Sequence, residues 1–209
     1  EKRRELELIL QAYQRSIDHA DMALMHHLGT ACLYKGLYRE ATEILARVVR
    51  MQHDHHQAHH LLGQAYLALG FLGEALTSAS RAVELRPGFA DYRNNLGDVF
   101  AASHNWTRSI REYQEAITIN LYYADAYLNL GVVILTQAVH ETPTGGDISP
   151  ATKAADCIHK AGLILADLRG RLFEEGLREM EQGRWQEALE ALTTLQKQRR
   201  DQHRQQSAN

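Results

Sequence analysis

Histidine is the residue type in this chain whose number and spacing most invite a chemical interpretation. The 209 residues include 12 histidines, and several of them lie in the segment MQHDHHQAHH, residues 51–60. On a helix, His55 and His59 share one face, as do His56 and His60, and such pairs can bind a transition metal such as zinc or nickel. Only Asp54 adds a carboxylate, so we favour a polar junction between two helices and predict no bound metal, keeping these four histidines as candidate ligands.

Motifs that carry catalysis are missing from the sequence. It contains no Gly-rich phosphate loop, no Cys-x-x-Cys, no His-Glu-x-x-His and no nucleophile elbow. The paired carboxylates Glu174 and Glu175 are consecutive, and consecutive side chains on a helix do not face each other. We therefore predict that this chain is not an enzyme and needs no cofactor.

A leucine followed by a glycine recurs every 34 residues, and the structure of this repeat must set the positions of the candidate side chains. The pair occurs at Leu28–Gly29, Leu62–Gly63, Leu96–Gly97 and Leu130–Gly131. Three residues after each glycine comes a residue that can pack in a core: Cys32, Tyr66, Phe100 and Ile134. Twelve residues after the first three glycines comes a small residue: Ala41, Ala75 and Ser109. Apolar residues at helical spacing between these points predict pairs of helices that approach closely at the small residues.

This pattern resembles the tetratricopeptide-repeat family, whose signature has the same period and the same leucine, glycine and aromatic positions. The resemblance implies an all-α, right-handed superhelical solenoid in which each repeat contacts mainly its neighbours. We expect residues 1–21 to form an N-terminal capping helix or a partial repeat. Five repeats are expected at 22–55, 56–89, 90–123, 124–168 and 169–202, followed by a polar tail at 203–209.

The fourth repeat carries an insertion of 11 residues, relative to the period, between its two helices. The segment ETPTGGDISP, residues 141–150, is rich in glycine and proline, and Ser149–Pro150 is typical of a helix start. We expect either a solvated loop or a clip that touches a ligand, since insertions in solenoids map to one face.

Composition limits the partners that this chain is expected to bind. The net charge is −3 and the pI is about 6.5, so we predict no nucleic-acid partner, which usually requires a basic face. No apolar run is long enough to predict a transmembrane helix. The first residue is Glu, so we expect a longer parent chain. Cys32 and Cys157 do not settle the compartment, for which the cytoplasm is the default expectation.

The first helix of each repeat lines a concave groove in the tetratricopeptide family, and the resemblance implies the same arrangement here. ADAYLNLG, residues 124–131, is similar to repeats in the superhelical domain of O-linked N-acetylglucosamine transferase, and Asn95 and Asn129 match its asparagine ladder. The equivalent positions in the first two repeats hold His27 and Leu61, so only two rungs are present. The expected groove residues are Asn95, Asn129, Asp91, Asp98, Asp125, Asn94, His60, Gln64, Leu61 and Leu128.

Three functional hypotheses follow from these residues. The first is a non-enzymatic module that binds a peptide or partner protein in the groove, where Asn amides meet the peptide backbone and Leu61, Phe71, Leu128 and Val132 supply apolar contacts. The second is a scaffold that self-associates, and the third is a regulatory or substrate-recruiting arm of a larger enzyme. Under the first, changing Asn95 and Asn129 to Ala should leave the fold intact and weaken partner binding roughly 10- to 100-fold.

Overall fold

The computed structural model describes residues 22–141 and 149–207, and this part of the chain is helical with no β-strand. The predicted N-terminal cap at 1–21 and the centre of the insertion lie outside the described residues. Within the described ranges there are ten α-helices: α1 (Met22–Tyr34), α2 (Tyr38–Met51), α3 (His56–Leu69), α4 (Leu72–Leu85), α5 (Ala90–Ala102), α6 (Trp106–Ile119), α7 (Ala124–Glu141), α8 (Ser149–Ile164), α9 (Arg171–Glu181) and α10 (Trp185–Ser207). A short 3₁₀ turn at Ala166–Leu168 precedes α9.

The turn between the two helices has the same backbone conformation in the first, second and fifth repeats. Gly36, Gly70 and Gly183 have positive φ angles of 78°, 78° and 72°, in the left-handed region that glycine enters without steric cost. The following residue donates its N–H to a carbonyl five residues back, as Phe71 does to Tyr66 over 2.9 Å. This capping pattern satisfies the last carbonyls of the first helix and reverses the chain.

The first and second helices of each repeat pack at very short range on the glycine that follows the repeated leucine. A Cβ atom at Gly97 would lie 2.6 Å from Cε1 of Tyr113, and one at Gly131 would lie 2.7 Å from Cγ1 of Ile158. No side chain fits into such a gap, so a residue without a Cβ is required there. The spacing of these glycines in the sequence predicts this close approach, and the structure confirms it.

The first helices form the inner layer of the stack. Helix α1 contacts α3, α3 contacts α5, and α5 contacts α7, although each pair is separated by an intervening second helix. In a curved stack, elements on the inner side come closer together than those on the outer side. The concave face is therefore lined by α1, α3, α5 and α7, as the family resemblance implies.

The fourth repeat begins with a longer helix than the others. Helix α7 has 18 residues, whereas α5 has 13. The residue 34 positions after Gly70 is His104, which still adopts a positive φ of 56°, but 34 positions later the chain has Ala138 in the middle of α7. Because Ala138 offers no left-handed turn, the helix runs on to Glu141, and part of the predicted insertion is an extra helical turn.

The fifth helix pair does not stack like the first four. Helix α10, the second helix of this pair, packs along α7 more extensively than α9 packs on α8. Arg169, next to the 3₁₀ turn, donates from Nε to the carbonyl of Gly162 over 2.9 Å, and Phe173 packs against Gly162, so the entry into α9 is redirected. The second helix thus takes the inner position that a first helix holds elsewhere.

The described helices of the first four repeats lie within the residue ranges expected for those repeats, and the last helix is the exception. The fifth repeat was expected to end at residue 202, but α10 continues through Ser207 and has 23 residues. Residues 203–207, which were expected to belong to a polar tail, are therefore part of this helix. None of the helices in the described ranges is long and apolar enough to cross a membrane.

Candidate functional site in the concave groove

The concave groove holds the C-terminal half of the chain's own last helix. Helix α10 packs along α7 and also reaches α1, at the opposite end of the described stack. Its residues Gln196, Arg199, Arg200 and His203 follow the spacing i, i+3, i+4 and i+7, so they share one face of the helix. That face meets side chains of α5 and α7 that were expected to bind a peptide.

Asp98 on α5 is the point where several donors meet. Its Oδ1 accepts a hydrogen bond from Tyr113 Oη at 2.7 Å and a longer one from Asn129 Nδ2 at 3.4 Å. Arg200 Nη2 donates to the same oxygen at 3.1 Å. The negative charge of Asp98 raises the pKa of Arg200, and complete burial is the main cause of the raised pKa of Tyr113. Asp98 on α5 is therefore connected to the buried hydroxyl of Tyr113, to Asn129 on α7 and to Arg200 on α10.

Asn129 on α7 uses both ends of its amide. Its Nδ2 donates to Oδ1 of Asn94 at 3.1 Å, and its Oδ1 accepts from Nε2 of Gln196 at 2.8 Å. The side chain is buried, with 7% of its surface exposed. An Asn amide can bind a backbone C=O and N–H in this manner, and here side chains of the same chain take those positions.

Asp125, one turn before Asn129, is contacted by an arginine and a histidine of α10. Its Oδ1 accepts from Arg199 Nε at 2.7 Å, and His203 Nε2 lies 3.2 Å from its Oδ2. Arg199 and Asp125 are mostly buried, with side-chain exposures of 17% and 26%, whereas His203 is half exposed. The Arg199–Asp125 pair is thus shielded from solvent, which strengthens its attraction relative to that of a surface ion pair.

Tyr123 shows that the carboxylates of the groove lie near one another. Burial raises the pKa of Tyr123, and the charges of Asp91, Asp125 and Asp98 raise it further, with a side-chain hydrogen bond to Asp91. We call Asp91, Asp98 and Asp125 the acidic strip. Three neighbouring carboxylates repel one another and attract cationic groups. Arg199 and Arg200 are such groups, and they contact Asp125 and Asp98.

Asn95 and Asn129 lie at equivalent positions of successive inner helices, but their amides already form hydrogen bonds within the protein. Asn95 is 3% exposed and its Nδ2 donates to the carbonyl of His60 at 3.4 Å, so it links α5 to α3. Asn129 links α7 to α5 and to α10. The expectation of two free amides along an open groove is therefore revised: both rungs connect neighbouring repeats.

The apolar groove residues are also covered. Leu61 and Leu128 are 6% and 1% exposed, and Val132 is 5% exposed. Leu61 belongs to the core around α1 to α3, and Leu128 and Val132 belong to the core that includes Leu192 of α10. The sequence predicted that these side chains would supply free apolar contacts for a ligand. In this conformation they pack the core instead, and Phe71, at 51% exposure, lies in the turn before α4.

The histidine candidates for metal binding are directed to separate partners. His55 accepts from the N–H of Ala58, His56 pairs with the hydroxyl of Tyr92, and His59 pairs with the carbonyl of His53. His60 pairs with Gln64 and stacks on the ring of Tyr92 at 4.5 Å between centroids. Among the described residues no group of three or more His, Cys, Asp or Glu side chains is arranged to hold a metal. In this structure the four histidines act as capping and packing residues of the repeat junction.

The residues of α10 were not identified as site residues from the sequence. The segment QKQRRDQHRQQ, residues 196–206, is polar and contains no apolar periodicity, so the pattern favours a solvated end of the chain. The only available signal was the spacing of Gln196, Arg199, Arg200 and His203 along one helical face, set against an acidic groove. That signal requires knowledge of how the chain folds back on itself.

Comparisons with known proteins identify the repeat. The tetratricopeptide-repeat family model matches residues 27–88 and 60–124. The structure is similar to that of MamA, with 22% identity and a TM-score of 0.60, covering 88% of this chain and 98% of that one. It is also similar to a thermophilic tetratricopeptide-repeat protein from Thermus thermophilus, with 18% identity and a TM-score of 0.64, covering 85% and 91%.

A further structural neighbour is a transferase. An O-GlcNAc transferase from Thermobaculum terrenum shares 25% identity and a TM-score of 0.55 with this chain, over 68% of this chain and 27% of that one. The similarity covers only about a quarter of the transferase chain. A comparison with curated protein sequences finds no match.

Proposed function

Because this chain is a tetratricopeptide-repeat protein, we propose that it is a non-enzymatic module that binds a peptide or partner protein in its concave groove. The tetratricopeptide fold is in general an interaction fold without catalytic activity of its own. The observation that carries the proposal is the contact of α10 with Asp98, Asp125 and Asn129. These three side chains already bind a polypeptide segment through charge-assisted and amide hydrogen bonds.

The energetics support a protein ligand rather than a small molecule. Each amide or ion-pair contact of this kind contributes about 0.5–1.5 kcal/mol net. A micromolar complex requires about 8 kcal/mol, so several contacts along the groove must act together. A chain of residues lying along α5 and α7 provides such a row of contacts.

A peptide display experiment tests the proposal. Random peptides are selected on the full chain and then assayed on the variant Asp98→Asn/Asp125→Asn, in which the amides keep hydrogen-bond acceptors for Tyr113 and α10 but lose both charges. We expect selected peptides to bind the wild-type chain at least about 10-fold more tightly than this variant, because the acidic strip supplies the recognition. The exposed pair Glu74→Gln/Glu84→Gln on α4 is the matched control and should bind like the wild type.

Two results would contradict the proposal. Peptides that bind the wild type and the Asp98→Asn/Asp125→Asn variant equally well would place the binding surface elsewhere on the chain. Failure to select any peptide or protein ligand on the wild type and on a variant with a displaced C-terminal helix would remove groove binding altogether.

A second candidate function is a recruiting arm of a larger enzyme. It is favoured by the similarity to the O-GlcNAc transferase, of which this chain matches 27%. The proposal requires a catalytic domain in the parent gene product. Reading that gene product, and assaying it for glycosyl transfer with and without residues 22–207, tests this alternative. A parent product without a catalytic domain would eliminate it.

A further inference from the structure

The C-terminal part of α10 lies where a ligand of the groove would lie, and its contacts define a chemistry. Two arginines and one histidine approach two aspartates, and one glutamine approaches one asparagine. The sequence separations are 67 residues for Gln196 with Asn129 and 102 residues for Arg200 with Asp98. These contacts therefore join elements that are distant along the chain, and they are not part of the packing of one repeat on the next.

The same helix has two parts with different roles. Ala188 and Leu192 have no exposed surface and belong to the core with Phe173 and Leu177 of α9. Beyond Leu195, the side chains of Gln196, Arg199, Arg200 and His203 make polar contacts with α5 and α7, and Arg200 and His203 remain half exposed at 51% each. The first part is needed to complete the fold, whereas the second part is held by polar contacts that water and other polar groups can replace.

We infer that Gln196–His203 acts as an intramolecular ligand of the acidic strip, and that the external partner is a basic helix with the same spacing of polar groups, which displaces it. This inference rests on the proposed function, since it assumes that the groove is the binding surface. It adds the chemical class of the ligand and an autoinhibitory contact that regulates access. A tethered segment competes with a free one at an effective concentration in the millimolar range, so the closed state weakens external binding.

Charge complementarity identifies the ligand class. When the C-terminal segment leaves, Asp98 and Asp125 lose Arg200, Arg199 and His203, and the carboxylates of the acidic strip are left without cations from α10. An incoming segment must replace those charges, and arginine does this best because its guanidinium forms directed hydrogen bonds with carboxylates. A glutamine or asparagine three or four residues before the first arginine would restore the bond to Asn129.

The test uses the full chain and a synthetic peptide of known sequence. The probe is the fluorescein-labelled peptide TTLQKQRRDQHRQQS, residues 193–207, and the control probe carries glutamate in place of both arginines at 199 and 200. The release variant is Arg199→Glu/Arg200→Glu, in which repulsion from Asp98 and Asp125 drives the segment out. The matched control is Arg178→Glu/Lys197→Glu, which makes the same charge change at two exposed positions of α9 and α10.

We expect the release variant to bind the probe at least about 10-fold more tightly than the wild type, because its groove is open. The Arg178→Glu/Lys197→Glu control should bind as weakly as the wild type, and the control probe should bind none of them. Circular dichroism and the melting temperature establish that each variant is folded.

Hydrogen exchange on the wild-type chain provides a readout that needs no variant. Amides of residues 196–203 should be protected at low ionic strength and should exchange faster in about 0.5 M salt, because screening weakens the ion pairs. Amides of residues 186–192, in the apolar part of α10, should not change. Unprotected amides at 196–203 in low salt would overturn the inference directly.

The remaining outcomes separate the two proposals. Equal binding of the probe to the wild type and the release variant would overturn autoinhibition but leave the groove as a binding surface. Absence of probe binding to both would overturn the basic-helix ligand, while the peptide display experiment still decides groove binding. Wild-type dimers that dissociate in the release variant would show that the segment docks on a second copy, which also overturns the intramolecular contact.

Discussion

Gln196 donates a hydrogen bond to Asn129 over 2.8 Å, although 67 residues separate them in the chain. The contact joins the last helix to the first helix of the fourth repeat, on the concave side of the solenoid. It uses the oxygen of Asn129, whose nitrogen donates to Asn94. One amide thus connects three helices, and this gives it both a structural role and a place in the proposed binding surface.

Removing the Asn129 amide should therefore cost stability. Asn129→Ala leaves the polar groups of Asn94 and Gln196 without their partner, and a lost buried hydrogen bond costs about 1–3 kcal/mol. Asn95→Ala removes a longer bond and should cost less. Urea denaturation measures both, with Gln114→Ala at an exposed position of α6 as the control. The sequence alone predicted that the fold stays intact, and we now expect it to stay intact but to be less stable in Asn129→Ala. An unchanged urea midpoint for Asn129→Ala would contradict this prediction.

The close contact at Gly97 predicts a marked effect of one added methyl group. In Gly97→Ala the new Cβ would meet the ring of Tyr113 at 2.6 Å, and that ring is buried and bound to Asp98. We expect a loss of about 1–3 kcal/mol, because the ring must move within a packed core. Calorimetric melting checks this value.

Gly73→Ala is the matched control for the same substitution. No atom lies within 4 Å of a Cβ built at Gly73, which is in the first turn of α4. Alanine favours helix formation over glycine by up to about 1 kcal/mol, so this variant should be as stable as the wild type or more stable. Equal destabilisation by both changes would contradict the steric explanation.

His104 occupies a backbone conformation that suits glycine. Its φ of 56° lies in the same left-handed region as the 78° of Gly70 at the equivalent turn. Replacing His104 with glycine should relieve about 1 kcal/mol of backbone strain. The variant also loses the edge-to-face contact between the His104 and Trp106 rings, whose centroids are 5.0 Å apart, and this offsets part of the gain. We expect His104→Gly to raise the melting temperature.

Gly70→Ala is the reverse experiment and should lower the melting temperature. Nothing lies within 4 Å of a Cβ at Gly70, so any loss of stability comes from the backbone alone. If His104→Gly is destabilising while Gly70→Ala has no effect, backbone strain does not control these turns.

Stability should fall at acid pH because of His60. Burial lowers the pKa of this imidazole from 6.5 to about 4, so the folded state keeps it neutral while the unfolded chain binds a proton. The stabilisation is complete above the unfolded pKa of 6.5 and is lost as pH falls towards 4. The free energy of unfolding falls by up to about 3 kcal/mol over this pH range. Burial also lowers the pKa of His26, His56 and His59, and these shifts act in the same direction.

The variant His60→Phe isolates this contribution. It keeps a ring against Tyr92 but cannot bind a proton, so its free energy of unfolding should vary less between pH 6.5 and 4 than that of the wild type. His159→Gln, at an exposed position of α8, is the control and should retain the wild-type profile. Identical pH profiles for His60→Phe and the wild type would exclude His60 as the cause.

The sequence by itself determined the repeat and most of the helix pairs. Each glycine of the Leu–Gly pair and each small residue on the facing helix specifies a local close approach, so the 34-residue spacing was sufficient to predict α1 to α6. The same reasoning did not place the end of the last helix, which runs through Ser207 and beyond the fifth repeat expected at 169–202. The stop signal is missing there, because residues 196–209 contain no proline or glycine.

Only the tertiary structure decided what lies in the groove. Asp98, Asp125 and Asn129 could be placed on inner helices from their register, but their partners Arg200, Arg199 and Gln196 lie 67 to 102 residues away along the chain. Local periodicity carries no information about such distant pairs. The redirected entry into α9 and the inner position of α10 arise from packing around Gly162 and Phe173. Because that packing depends on how all preceding repeats stack, local sequence does not reveal the contacts of α10 with α5 and α7.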